Sequence, residues 1–268
     1  MLSLFLGMFN TQLVRGFINH RLSAKTRHGV HSPFVYKLVD EVIYDFRARK
    51  DYQDIESVRK QLLHDERYIT ITDLGAGSHV NNNKQKQVCQ LAKNALKPAK
   101  LAQLLYRLAH HFQPEQILEL GTCLGLTTAY LAKAAPEARV TTVEGCPQTA
   151  SVAAENLQKL GITNVDLKVG NFDHVLPEIL SAVEKLDFVF IDGNHRKEAT
   201  IDYFQQCLPK LHEGSVMIFD DIYWSKGMQE AWDVIKAHPQ VTVTVDLFWV
   251  GMVFFRTGQI KQDFKIKY

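Results

Sequence analysis

From residue 117 onward, short β-branched or apolar runs alternate with segments of helical periodicity, and this rhythm limits the fold more than any other feature of the chain. Runs at 117–120, 140–143, 165–169, 186–191, 215–219, 241–247 and 249–256 read as strands. The intervals 124–135, 147–160, 173–185, 197–212 and 226–238 read as helices. Strands separated by a helix lie parallel, joined by right-handed crossovers. The last two, VTVTVDLF and VGMVFF, have almost nothing between them and must form an antiparallel hairpin. The predicted fold class is therefore α/β: a doubly wound, seven-stranded, mostly parallel sheet with an antiparallel last strand, spanning residues 96–268.

Residues 1–95 lack that rhythm and read as a mainly helical N-terminal extension, a lid, substrate or interaction region. Ser32 before Pro33 is a helix start: a capping hydroxyl, then a ring already set at helical φ. Asp51 to Arg67 has a polar helical pattern, and NNNKQKQ (81–87) reads as an exposed loop. Leu2, Leu4, Phe5, Met8, Phe9, Leu13, Phe17 and Ile18 share roughly one helical face. That face either packs on its own domain or lies on a membrane surface or partner, with Arg15, Arg21, Lys25 and Arg27 beside it. Charge is uneven. Residues 1–112 hold 17 Lys/Arg and 9 Asp/Glu, whereas 113–268 hold 14 and 20. The extension is thus suited either to something anionic or to the acidic half of its own chain.

Composition excludes several classes. At 46% apolar and 22% charged residues the chain is ordinary for a globular protein. Cys89, Cys123, Cys146 and Cys207 are scattered without a CxxC pair, which argues against a zinc cluster and a disulfide framework and for a reducing cytoplasm. No apolar run approaches the roughly 20 residues that span a bilayer, and the N-terminus lacks the basic start and cleavage site of a secretory signal.

The chemistry-bearing feature is the run ILELGTCLGLTTAYLA (117–132). An apolar strand ends in an acid, Glu119, turns through Gly121 and Gly125 past Thr122, and enters a helix with Thr127 in its first turn. Glycines there let a cofactor lie against bare backbone, and the helix start offers free N–H groups to a carboxylate. Dinucleotide enzymes use the same architecture, but the third glycine of GxGxxG is missing. The next strand, VTTVEG, carries Glu144 and Gly145 at its tip; an ionised acid there accepts hydrogen bonds from both hydroxyls of a ribose. The other reading of Glu144 is a capping acid before Pro147. At the third tip, Asn171 and Phe172 are placed to meet an adenine by amide and by apolar contact. The fourth and fifth tips supply Asp192, His195, Asp220 and Asp221 at the carboxyl edge, where doubly wound folds put their sites.

ILELGTCLGLTTAYLA, VTTVEG, VGNFDHVLP, LDFVFIDGNH and GSVMIFDDI occur in the order and spacing of the class I methyltransferases that use S-adenosylmethionine (SAM). Over about residues 95–256 the chain resembles the catechol and caffeoyl-CoA O-methyltransferase branch, and LKPAKLAQLLYRLAHHFQPEQILELG matches that branch's lid and leading helix in length and position. The resemblance implies a Rossmann-like sheet, SAM as cofactor and a hydroxyl of a small molecule as acceptor. It implies that Glu119 holds the cofactor's amino group, often through water, and that Asp192 with Asp220 and Asp221 holds Mg²⁺. Asp221 departs from the family's Asn; three carboxylates suit Mg²⁺, Mn²⁺ or Ca²⁺. The alternative is that Asp192 contacts SAM while Asp220 and Asp221 cap or form ion pairs. His195 stands where the branch carries a base lysine, and an imidazole accepts a proton near neutrality; it also reads as a plain loop histidine. Tyr223, Trp224 and Trp249 are candidate acceptor walls, unless they are core.

Other readings compete. A methyltransferase acting on RNA or protein would use the basic N-terminal part, but no recognised RNA module is visible, which argues against nucleic acid. A non-catalytic SAM-fold interaction protein would not need these acids, and an NAD oxidoreductase is more distant. A second glycine turn, Thr72–Ser78, resembles a cofactor loop but is not followed by a strand ending in an acid; it reads instead as a turn near the site's mouth.

Overall fold

The computed structural model describes residues 11–72 and 84–268. Leu2, Leu4, Phe5, Met8 and Phe9, the glycine turn at 73–78 and residues 81–83 lie outside the described residues.

The N-terminal part contains α1 (Thr11–Ser23), α2 (Pro33–Leu38), α3 (Lys50–Leu62) and α4 (Val88–Ala95), with a two-stranded antiparallel ribbon of β1 (Tyr68–Ile71) and β2 (Lys84–Gln87). Ser32 caps α2 as its sequence predicts, its hydroxyl accepting from the Val35 N–H. The expected loop at 84–87 is instead β2: its KQKQ side chains are polar, but its main chain pairs with Tyr68–Ile71.

After α5 (Ala99–Phe112) come β3 (Gln116–Leu120), α6 (Leu126–Ala134), β4 (Arg139–Glu144), α7 (Pro147–Lys159), β5 (Val165–Val169), α8 (Phe172–Ala182), β6 (Phe188–Ile191) and α9 (Lys197–Cys207). The chain continues through β7 (Val216–Asp220), α10 (Lys226–Ala237), β8 (Val243–Asp246), β9 (Val250–Phe254) and β10 (Gln262–Lys265). The strand order is β10-β8-β9-β7-β6-β3-β4-β5. Only β9 runs against its neighbours, as the short connection from β8 requires. The sheet has eight strands, one more than the sequence predicts: β10, QDFK, adds itself parallel to β8 at the edge.

Period-two alternation splits the strands between two apolar layers. Ile117, Phe188, Phe190 and Ile218 face a core shared with α2 to α6. Leu118, Leu120, Ile191 and Phe219 face α8, α9 and α10. Buried residues of the first 95 positions, such as Val35, Ile43 and Ile55, belong to the same cluster as the sheet. No helix among the described residues is long and apolar enough to cross a membrane.

Because β3 to β7 are parallel apart from their connections, Gly121, Glu144, Asn171, Asp192 and Asp220 emerge at one edge. The β8–β9 turn, with Phe248 and Trp249, opens at that same edge.

Candidate active site

The glycine turn after β3 is held by a neighbouring main chain. Gly121 has φ +112°, and a Cβ added to it would lie 2.0 Å from the Asp192 carbonyl oxygen, so only glycine lets the β3 and β6 tips touch. Gly125 begins α6 with φ +78°.

Beneath the turn sits a fully buried chain of hydroxyls. Thr142 Oγ1 donates to Glu119 Oε2 (2.7 Å), as does Thr128. Thr122 therefore donates to Thr142 (2.6 Å). Thr122, expected to touch a cofactor, is committed inward, and Thr127 is buried. Glu119 Oε1 is buried and has no hydrogen-bond partner among the described residues. Burial pushes this carboxyl up to about 7, against the pull of the Thr128 and Thr142 hydroxyls. An acid with one free buried oxygen at the foot of a glycine turn can take a further polar ligand group, directly or through water.

Glu144 lies at the β4 tip, half-buried next to Gly145. Its Oε2 accepts from the Cys123 N–H (2.8 Å) and its Oε1 from the Cys146 N–H (2.9 Å). The capping and ligand-binding readings are compatible: each oxygen has a second lone pair, and the backbone fixes the carboxylate's direction. Desolvation raises its pKa, opposed by those N–H groups. Asn171 caps α8, its side-chain oxygen accepting from the Asp173 N–H (3.0 Å). The Phe172 ring lies over Gly193, where a Cβ would come within 2.7 Å of it.

His195 sits on a loop pinned from α9. Tyr203 OH donates to Asp173 Oδ1 (2.8 Å) and accepts from Asn194 Nδ2 (2.8 Å). Asn194 takes φ +51°, a conformation asparagine tolerates. His195 Nε2 is 3.9 Å from Asp192 Oδ1, too long for a direct hydrogen bond. Asp192, His195 and Asp220 offer ligand atoms within 4.8 Å of one another. Asp221, the expected third acid, is outside that group; it takes φ +53° and its N–H donates to the Trp249 carbonyl (2.7 Å).

The decisive side chain among these acids is one that the sequence reading missed. Lys97 Nζ lies 3.1 Å from Asp192 Oδ2 and 2.6 Å from Asp220 Oδ2, with its side chain 7% exposed. Burial alone would lower its pKa, but Asp192 and Asp220 more than offset that and hold it as an ammonium. Burial and the Asp192 charge push the Asp220 carboxyl up, and Lys97 opposes them. The acids suit a divalent cation by type, but as arranged they do not fit one. The Lys97 nitrogen already stands between the Asp192 and Asp220 carboxylates, where such an ion would have to sit. No local pattern marks Lys97: it precedes Pro98, which keeps it extended, and it meets partners about a hundred residues downstream.

Tyr223 and Phe248 stack with centroids 4.7 Å apart, and Trp249 packs edge-on to Phe248 at 4.8 Å. Phe17 of α1 leans on Phe248 (5.1 Å). Trp224 is exposed. A separate cleft of about 850 Å³ lies around the last turn of α5, lined by residues including Asp45, Arg49, Arg107 and His110. Its cations are already used: Arg49 pairs with Asp45, and Arg107 donates to the Val42 and Ile43 carbonyls.

A family model described as a methyltransferase domain matches residues 118–222, from the glycine turn through Asp221. Over these residues the chain is similar to methyltransferase domains. A catechol O-methyltransferase of Mycobacterium tuberculosis is 34% identical over 132 residues, covering 48% of this chain and 58% of that relative. The chain thus spans less than two thirds of the length of that curated relative. The crystal structure of a cofactor-bound protein from MTB aligns with 26% identity and a TM-score of 0.53, covering 61% of this chain and 83% of that one. An O-methyltransferase from Bacillus cereus, solved in complex with S-adenosylhomocysteine (SAH), aligns at 19% identity with a TM-score of 0.55, covering 79% of this chain and 93% of that one, and supports the fold. The matched residues run from within β3 to just past β7; the ribbon and α1 to α5 lie before them.

Proposed function

We propose that this protein transfers a methyl group from SAM to a hydroxyl of a small-molecule acceptor. The observation that carries this reading is the pairing, on one sheet edge, of a backbone-fixed Glu144 beside the glycine turn with His195 and Asp192 on the adjoining tips. The curated catechol O-methyltransferase similarity supports the acceptor class.

SAM supplies a methyl already activated on a sulfonium, so the reaction is an in-line displacement and the protein provides position and electrostatics. In this reading Glu144 accepts from the ribose hydroxyls through its free lone pairs. The free oxygen of Glu119 takes the amino end, and Phe172 lines the adenine side. His195 accepts the acceptor's hydroxyl proton as the oxygen bonds to carbon. The Tyr223, Phe248 and Trp249 cluster, with α1 leaning on it, walls the acceptor end, so residues 1–95 shape acceptor access.

Calorimetry with SAH is the direct test. Wild type is expected to bind it, and Glu144→Ala to bind about ten- to a hundredfold more weakly, the loss of a charge-assisted contact. Preference for NAD over SAH would reject the reading. Once an acceptor is found, His195→Ala should lower turnover by about 10²–10⁴ with SAH affinity kept. An unchanged rate would make His195 a bystander.

A further inference from the structure

Four observations concern one point of the sheet edge. Lys97 is nine-tenths buried and touches Asp192 and Asp220 at 3.1 and 2.6 Å. Those are two of the three residues whose ligand atoms cluster within 4.8 Å. The same nitrogen lies 5.5 Å from the centroid of the buried Phe190 ring, so it is enclosed from below by a second favourable group for a cation. Lys97 also arrives from the linker between α4 and α5, where Pro98 starts the next helix and holds the preceding residue out of helical geometry.

We propose that the Lys97 ammonium is the site's resident cation, filling the position between Asp192 and Asp220 that the catechol-type resemblance assigns to a divalent metal. A buried carboxylate pair needs a counter-charge, and here the chain supplies it covalently. An ammonium has three N–H donors; two serve the carboxylates, leaving one for an acceptor oxygen. A point charge with rotatable donors replaces a polydentate ion. The charge pattern does not depend on the methyltransferase reading; what the third N–H holds does.

The test uses the full chain, freed of metal by chelator, titrated with Mn²⁺ and followed by the electron paramagnetic resonance signal of the free ion, with and without SAH. Wild type is expected to leave Mn²⁺ free. Lys97→Met, which strips the ammonium from between two carboxylates, is expected to bind one Mn²⁺ per chain. One Mn²⁺ bound per wild-type chain overturns the proposal, and that arm stands even if the variant does not fold. Lys97→Met that retains SAH binding but takes up no Mn²⁺ also overturns it, since the vacated carboxylates would then not be a cation position. Calorimetry with SAH on wild type is read separately: failure there sinks the methyltransferase reading and leaves the Mn²⁺ result to judge Lys97. With an acceptor in hand, turnover is expected to be the same in excess EDTA as in Mg²⁺.

Discussion

Glu119 is the residue whose environment most changes its chemistry. Its carboxyl titrates near 4.5 when exposed and about 7 in the fold. Between those values the folded chain holds a proton that the unfolded chain has released, so stability falls as pH rises through the window and levels off above it. The full drop is about 3 kcal/mol. Glu119→Gln should lose that descending limb in denaturant unfolding measured from pH 4 to 8; a limb that persists belongs to another group. Gly121 offers a second check. Alanine there meets the Asp192 carbonyl and an unfavourable φ, so Gly121→Ala should destabilise by about 1–3 kcal/mol and displace Asp192, lowering turnover. The acids at the strand tips were legible because a parallel strand ending at a ligand edge leaves a local mark: an apolar run, an acid, then glycine or asparagine. Thr122 and Asn171 also meet partners within the chain, Thr142 for one and the start of α8 for the other, contacts that no local pattern announces. Lys97 carried no mark, since its role exists only once the α4–α5 linker crosses the sheet edge.

At the scale of elements, β6, β7 and β9 were readable because strands buried on both faces are continuously apolar. β2 and β10 were not: KQKQ and QDFK are polar edge strands without hydrophobic alternation, placed by main-chain pairing and, for β10, by Phe264 on the core and Thr244 donating to Asp263. The loop between β6 and α9 depends on a contact of the same unreadable sort, in which Tyr203 joins Asp173 to Asn194. Tyr203→Phe removes both hydrogen bonds from a fully buried ring. It should cost about 1–3 kcal/mol of stability and lower turnover by loosening His195, with SAH affinity retained. Thermal melts and calorimetry on the same preparation separate these effects; equal loss of SAH binding would mean that the network also shapes the cofactor side.

Across the whole molecule, distant stretches of chain close one another. His20 of α1, 2% exposed, meets Asp246 at 3.0 Å, where Tyr223 OH (2.7 Å) and the Phe248 N–H (2.8 Å) also converge. The Lys25 N–H donates to the Lys265 carbonyl, and the Lys267 N–H donates to the Lys25 carbonyl. Removing residues 1–25 therefore takes away more than an appendage. The truncated chain should lose about 1–3 kcal/mol through the lost His20 contact to the buried Asp246, which keeps Tyr223 and Phe248, with a lower melting temperature. Its SAH affinity should stay near wild type, because Glu144 and the glycine turn make none of these contacts. A folded truncation unable to bind SAH would place part of the cofactor site in α1.

The His20–Asp246 contact also sets a clock on synthesis. The two residues stand 226 positions apart, and a ribosome adds roughly 5–20 residues per second. For about 10–45 s after its own synthesis, α1 has neither Asp246 nor the Phe248–Trp249 turn to dock on, so His20 and Phe17 wait without the partners they meet in the fold. The helix made early is among the last elements to be seated, so the acceptor end of the molecule is finished only after the sheet beneath it has formed.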